Sequence, residues 1–166
     1  MSPHLKELLA LFDLHKVRYL VIGGYALAAH GAPRYTKDLD LWVEPAAANL
    51  ERLANVLREF GFDEAADRCA RLADGKRLLQ IGSEPNRVDL LNFASGVEFE
   101  ECLRASIKSR IDGVPVTIIG RDDLIRNKVA SGRFTDLADL ERLGIKPDRA
   151  MAERALALRN EPNAED

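Results

Sequence analysis

The segment GGYALAAHGAPRYTKDLDLWVE, residues 23–44, decides the fold that this chain is expected to adopt. It opens with a pair of glycines, runs through a short apolar stretch and a basic loop, and ends in alternating acidic and apolar residues. Such alternation is typical of a β-strand with one buried face, so a strand is predicted over residues 38–43. Asp38, Asp40 and Trp42 then lie on one face of that strand, opposite the leucines expected in the core.

The two aspartates of this strand have two interpretations. Neighbouring carboxylates repel and raise each other's pKa unless a positive charge lies between them. A divalent cation meets that need, and Mg²⁺ prefers carboxylate and phosphate oxygens as ligands. Alternatively, Asp38 and Asp40 are the solvent face of an edge strand, where charge resists aggregation. The pattern of two aspartates taken alone favours the edge strand.

The glycine pair favours a ligand site. Gly23 and Gly24 follow a predicted strand, residues 18–22, and precede a predicted short helix, residues 25–31. Glycines let the backbone approach a ligand closely, and the first turn of a helix favours phosphate. The alternative is a tight turn without a ligand. The spacing matches neither a Walker A loop nor the dinucleotide fingerprint.

A third aspartate and two loop cations extend the candidate site. Asp89 lies within the apolar run RVDLLNF, where an acidic side chain is costly unless it is paired or bound to a metal. A salt bridge to Arg87 or to another basic side chain is the alternative explanation for Asp89. Arg34 and Lys37 lie on the loop before the first acidic strand, where they are placed either to contact a triphosphate or simply to be solvated.

The rest of the chain predicts one domain with a mixed sheet. The 166 residues carry a formal net charge of −3 and no apolar run of membrane-spanning length. We expect a single domain over residues 1–160 and a flexible tail over residues 161–166. A cytoplasmic protein is expected, because the N-terminus predicts an amphipathic helix rather than a signal peptide. The predicted strands at residues 76–82 and 87–93 are too close in sequence for a crossover connection, so they are expected to pair antiparallel. Together with the predicted helices, including those near the C-terminus, this indicates an α/β (α+β) fold with a mixed sheet.

The order of these motifs resembles the nucleotidyltransferase superfamily, whose fold is shared with DNA polymerase beta. The residues that carry the resemblance are Gly23 with Gly24, then Asp38 with Asp40, then Asp89 on a neighbouring strand. The resemblance implies that the three aspartates hold Mg²⁺ or Mn²⁺, with Asp89 as a metal ligand or general base. It also implies transfer of a nucleoside monophosphate from an NTP, with release of pyrophosphate.

A later segment, KVASGRFTDLADLERL, resembles the helical motif of the abortive-infection-type (AbiEii-like) nucleotidyltransferase toxins. The matching residues are Lys128, Arg133, Asp136 and Asp139. The resemblance implies that Lys128 reaches the phosphates, that the acceptor is an RNA or tRNA end, and that a cognate antitoxin protein exists. Asp136 and Asp139 are three residues apart on one helix face, and we interpret them as structural partners that hold Arg133 or Lys128.

This sequence departs from the superfamily pattern in two places, and the first departure, together with the uncertain contact of Lys128, supports a rival hypothesis. Gly24 stands where many members carry serine, so only backbone contacts to phosphate remain there. The spacing to Asp38 is longer than in the smallest antibiotic-modifying members, which argues against that substrate class. The rival is a non-catalytic nucleotide-binding or protein-interaction module that kept the fold.

Overall fold

The computed structural model describes residues 2–84 and 86–160. The helices are α1 (Pro3–Leu14), α2 (Gly23–Ala29), α3 (Ala47–Glu59), α4 (Asp63–Arg68), α5 (Phe99–Arg104), α6 (Arg121–Ser131), α7 (Phe134–Arg142) and α8 (Arg149–Asn160), with a 3-10 helix (Cys69–Ala73) after α4. The strands are β1 (Tyr19–Val21), β2 (Leu39–Val43), β3 (Leu78–Ile81), β4 (Val88–Leu91), β5 (Ile107–Ile111) and β6 (Val114–Ile118). The predicted tail, residues 161–166, lies outside the described residues.

The sheet is mixed, as predicted, with the strand order β3-β4-β2-β1-β6-β5. Strands β3 and β4 pair antiparallel, as do β5 and β6, whereas β2 runs parallel to β4 and β1 runs parallel to β6. Because β2 has β4 on one side and β1 on the other, the edge-strand interpretation of Asp38 and Asp40 is wrong. These aspartates therefore belong to the interior of the sheet.

The apolar face of β2 forms part of the core. Leu39, Leu41 and Val43 are fully buried there, as the alternation predicts. Helix α1 packs on β6 and α3, and the Phe12 and Tyr19 rings meet edge to face at 5.3 Å between centroids. This layer of apolar side chains leaves the other face of β2 for the polar residues.

The start of α2 differs from the prediction. The glycines are the first two residues of the helix rather than a turn that precedes it. Gly23 adopts a positive φ of 61°, and a Cβ atom there would lie 2.0 Å from Oδ2 of Asp40. Only glycine permits both the backbone angle and the contact, so Gly23 sets how closely α2 approaches the acidic strand.

A tight reversal between α6 and α7 brings distant charges together. Gly132 ends α6 in the left-handed conformation, with φ 66°, and its N–H donates to the carbonyl of Lys128. This is the usual role of glycine after a helix. The reversal packs α7 against α6, which places the aspartates of α7 beside Lys128.

Candidate active site

A cleft of about 600 Å³ opens between the acidic face of the sheet and helices α6 and α7. Its wall contains every residue predicted for the site except Gly24. These residues are Gly23, Arg34, Lys37, Asp38, Asp40, Asp89 and Lys128. Gly24 is buried behind the wall, where a Cβ atom would lie 2.7 Å from Cβ of Thr36. A serine in place of Gly24 would therefore collide with Thr36.

The three predicted carboxylates come from two neighbouring parallel strands. Asp40 of β2 and Asp89 of β4 are paired in register, so their side chains leave the same face on strands about 4.8 Å apart. Asp38 immediately precedes β2 and lies two residues from Asp40, on the same side of the chain. The sheet register thus brings together residues that are 49 apart in sequence.

Arg87 bridges two of these carboxylates. Its Nη2 donates to Oδ2 of Asp38, and its Nε lies 3.4 Å from Oδ1 of Asp89. The salt bridge to Arg87, which was the alternative explanation for Asp89, is therefore present. Within residues 2–84 and 86–160, no three His, Cys, Asp or Glu side chains are arranged to hold a metal ion. Part of the carboxylate charge is already neutralised from within the chain.

The donor set nevertheless fits a divalent cation. Oδ1 of Asp38 is buried and has no hydrogen-bond partner among the described residues. A buried oxygen without a partner is costly, and a cation or a water satisfies it. Three carboxylates supply the hard oxygen ligands that Mg²⁺ and Mn²⁺ accept. The fit requires Arg87 to release Asp38 and Asp89, because a cation and the guanidinium compete for the same oxygens.

The carboxylates are electrostatically strained. Burial, followed by the neighbouring charge of Asp89, raises the pKa of Asp40 to about 6. Burial also raises the pKa of Asp89, although Arg87 and a 3.2 Å hydrogen bond from Gln80 oppose that rise. Both shifts indicate negative charge held where water screens it poorly. Such a site favours binding of positive charge.

A buried ion network closes the opposite wall of the cleft. Nζ of Lys128 is 2.7 Å from Oδ1 of Asp136 and 2.8 Å from Oδ2 of Asp139, and the residue is only 5% exposed. Burial alone would raise the pKa of Asp136, but the charge and hydrogen bond of Lys128, together with Arg133 and Ser131, outweigh burial and lower it. As interpreted from their spacing, the two aspartates hold Lys128 in place.

Arg34 joins this network to the loop before β2. Its Nε donates to Oδ1 of Asp139 at 2.8 Å, which ties the loop to α7 across 105 residues of sequence. The hydroxyl of Thr36 donates to the carbonyl of Asp38 at 3.1 Å. Lys37 instead points to solvent and pairs with Glu84 at 2.7 Å. The loop is therefore anchored at both ends, beside the carboxylates.

Trp42, which follows the aspartates on the same face, belongs to the core. Its indole is 3% exposed and meets the Phe99 ring edge to face at 5.2 Å between centroids. This residue therefore packs in the core and offers no exposed face on which a base could stack.

Comparison with known proteins identifies the family. A family model described as "Nucleotidyl transferase of unknown function (DUF2204)" matches residues 2–163. The chain belongs to this family. The predicted nucleotidyltransferase superfamily is thereby confirmed, whereas the finer resemblance to abortive-infection-type toxins stays a prediction. A search of curated proteins gives no match.

The fold of this nucleotidyl transferase family member is also found among solved structures. The chain is similar to the solution structure of the antibiotic-resistance factor ANT(2'')-Ia, with a TM-score of 0.55 and 15% sequence identity. The similarity covers 94% of this chain and 89% of the other. Identity this low shows a shared fold alone, so the expectation against antibiotic substrates stays a prediction. Over the described residues, none of the helices combines the length and apolar character needed to cross a membrane.

Proposed function

We propose that the protein is a divalent-cation-dependent nucleotidyltransferase that moves a nucleoside monophosphate from an NTP to an acceptor hydroxyl and releases pyrophosphate. The observation that carries the proposal is the registered pair of Asp40 and Asp89, with Asp38 beside it, on the wall of a cleft that also contains Gly23 and Arg34. Family membership supports the class of reaction.

The proposed reaction balances as a displacement at the α-phosphorus. The acceptor oxygen forms a bond to that phosphorus, and the bond from the phosphorus to the bridging oxygen of the β-phosphate breaks. Pyrophosphate leaves with the electron pair. Asp89, which lies on the cleft wall in register with Asp40, would take the proton of the acceptor hydroxyl as general base.

Asp38, Asp40 and Asp89 would hold Mg²⁺ or Mn²⁺. A bound cation neutralises the charge of the triphosphate and of the departing pyrophosphate. Arg87 has to leave Asp38 and Asp89 before those oxygens are available, and its partly exposed side chain leaves room for that movement.

The basic residues of the cleft would hold the triphosphate. Arg34 presents a guanidinium that Asp139 already orients, and a fixed guanidinium suits phosphate oxygens. Lys37 would exchange its exposed pair with Glu84 for a phosphate. Lys128 lies deeper and is held by two carboxylates, so we assign it a positive charge at the cleft wall and a positioning role.

We propose an RNA end, such as a tRNA acceptor end, as the acceptor, and a toxin role with a cognate antitoxin. The resemblance of the segment from Lys128 to Leu143 to abortive-infection-type toxins supports this choice. Arg133 and Arg142 add positive charge on the side of the cleft formed by α7, which suits an RNA backbone.

The proposal is tested by incubating the protein with labelled NTPs, Mg²⁺ and total RNA. Label is expected in RNA with the wild type and not with Asp38→Ala or Asp89→Asn. The matched control is Asp74→Asn, an exposed aspartate outside the cleft, which should transfer label like the wild type. Equal transfer by the wild type and Asp38→Ala would contradict the proposal.

The ion pairs of Arg87 favour a second candidate, a nucleotide-binding or interaction module without turnover. In that case Arg87 permanently neutralises Asp38 and Asp89. Calorimetry with an NTP, with and without Mg²⁺, combined with a pyrophosphate-release assay separates the candidates. Binding that is independent of Mg²⁺ and gives no pyrophosphate would select the module.

A further inference from the structure

Tyr35 is an aromatic side chain exposed on a fixed loop. The residue is 79% exposed and lines the cleft, although its neighbours in sequence are held tightly. Arg34 is anchored by Asp139 and also donates to the carbonyl of Tyr35 at 3.1 Å. Thr36 is anchored by its hydrogen bond to the carbonyl of Asp38. The backbone therefore holds the ring of Tyr35 out from the surface at a defined place.

Other apolar side chains are exposed near the same cleft. Leu78 is 49% exposed and lines it, and Phe134 is 44% exposed between two residues that line it. Together with Tyr35, these two residues make up half of the large hydrophobic side chains that are exposed in the described part of the chain. Single exposed apolar residues are ordinary, but several gathered at one cleft indicate a surface that binds something.

The charges beside Tyr35 indicate what this surface binds. Arg34 and Lys37 flank the ring in sequence and line the same cleft, and both suit phosphate oxygens. An exposed ring beside phosphate-binding cations is the arrangement by which proteins stack on a nucleobase while holding its backbone. A ligand with phosphate and no flat apolar part would leave the ring unused.

We propose that Tyr35 stacks on a nucleobase bound at this cleft and thereby positions the nucleotide beside the carboxylates. This inference rests on the proposed function and adds the group that recognises the base. Stacking uses the face that all bases share, so Tyr35 strengthens binding without selecting among the four nucleotides. The base belongs either to the NTP or to the end of the acceptor RNA, and the experiment distinguishes these sources.

The test compares Tyr35→Ala with Tyr35→Phe, which keeps the ring. Calorimetry in Mg²⁺ measures binding of ATP, of inorganic tripolyphosphate, and of a short single-stranded RNA. If the base is that of the NTP, Tyr35→Ala should bind ATP about 5- to 150-fold more weakly, as expected for loss of one stacked base. Tripolyphosphate, which has no base, should bind unchanged, and Tyr35→Phe should keep most of the affinity for ATP.

If the base belongs to the acceptor, Tyr35→Ala should weaken RNA binding and leave ATP binding as it is. Leu14→Ala, an exposed apolar residue at the end of α1, controls for general loss of apolar surface and should change nothing. Wild-type-like binding of both ATP and RNA by Tyr35→Ala would overturn the inference and leave the proposed function standing. A wild-type protein that binds neither ATP nor RNA would overturn both.

Discussion

Replacing Asp40 with asparagine is expected to stabilise the protein in the absence of divalent cations. The carboxylate of Asp40 is partly buried beside Asp89, and its ionised form is unfavourable there. Asparagine has nearly the same shape and carries no charge. The variant thus removes electrostatic repulsion from the folded state, while it should abolish nucleotidyl transfer if Asp40 holds the cation.

The size of the effect follows from the pKa of Asp40, which is raised from 3.8 to about 6. A difference of about two pH units corresponds to about 3 kcal/mol in the free energy of unfolding. Between about pH 4 and pH 6 the folded wild type binds more protons than the unfolded chain, so this group makes stability fall as pH rises. The advantage of Asp40→Asn should therefore be complete above pH 6 and vanish near pH 4.

The assay is urea unfolding in EDTA at pH 8 and at pH 4.5, followed by circular dichroism. Asp136→Asn is the matched control, and it is expected to lower the free energy of unfolding rather than raise it, because Lys128 lowers the pKa of Asp136. Breaking that buried pair should cost about 3 kcal/mol at pH 8. The reasoning is refuted if Asp40→Asn is no more stable than the wild type at pH 8. It is also refuted if the gain in the free energy of unfolding over the wild type is the same at both pH values.

Three further perturbations address other parts of the site. Arg87→Gln should bind Mn²⁺ about tenfold more tightly in calorimetry at pH 8, because one charge-assisted bond no longer competes for Asp38. Unchanged or weaker binding would show that Arg87 does not compete with the cation. Gly24→Ser should lower stability by about 1–3 kcal/mol in urea, because its Cβ would lie 2.7 Å from Cβ of Thr36; an unchanged midpoint would contradict this. Lys128→Met should cost about 3 kcal/mol in the same assay, since it leaves two buried carboxylates without their shared cation. A loss below 1 kcal/mol would mean that Arg34, paired with Asp139, and Arg133, paired with Asp136, are sufficient to hold the network.

The strands and the two antiparallel pairs of adjacent strands could be predicted because their signals are local. Alternation over β2 depends only on the two-residue period of a strand, and it correctly placed Leu39 and Leu41 in the core. The Asp112-Gly113 dipeptide, which is typical of a tight hairpin turn, joins the antiparallel strands β5 and β6 and is likewise a local signal. The start of α2 was misplaced by two residues because the contact that Gly23 makes with Asp40 comes from the tertiary structure.

The charge pairing of the site was harder to predict, because it depends on contacts between distant segments. The pairing of Arg34 with Asp139 joins a loop to α7 across 105 residues, and no local pattern indicates it. For Asp89, the sequence offered a metal site and a salt bridge to Arg87 as alternatives. Both Asp38 and Asp89 meet Arg87 because the register of β2 on β4 places them together, and register is not a local property.

The cleft contains two clusters of acidic residues, which differ in how their negative charge is balanced. This difference indicates which cluster is available to bind a cation. Asp136 and Asp139 surround Lys128, so their counter-ion is buried with them and a cation would have to displace a fixed ammonium. Asp40 instead has a raised pKa, which means that the charges around it do not compensate for its burial. Arg87 balances the neighbouring carboxylates through a partly exposed side chain. An incoming divalent cation would therefore gain most at Asp40 and least at α7, which supports the proposal that Asp40 is a cation ligand and that Asp136 and Asp139 frame the site.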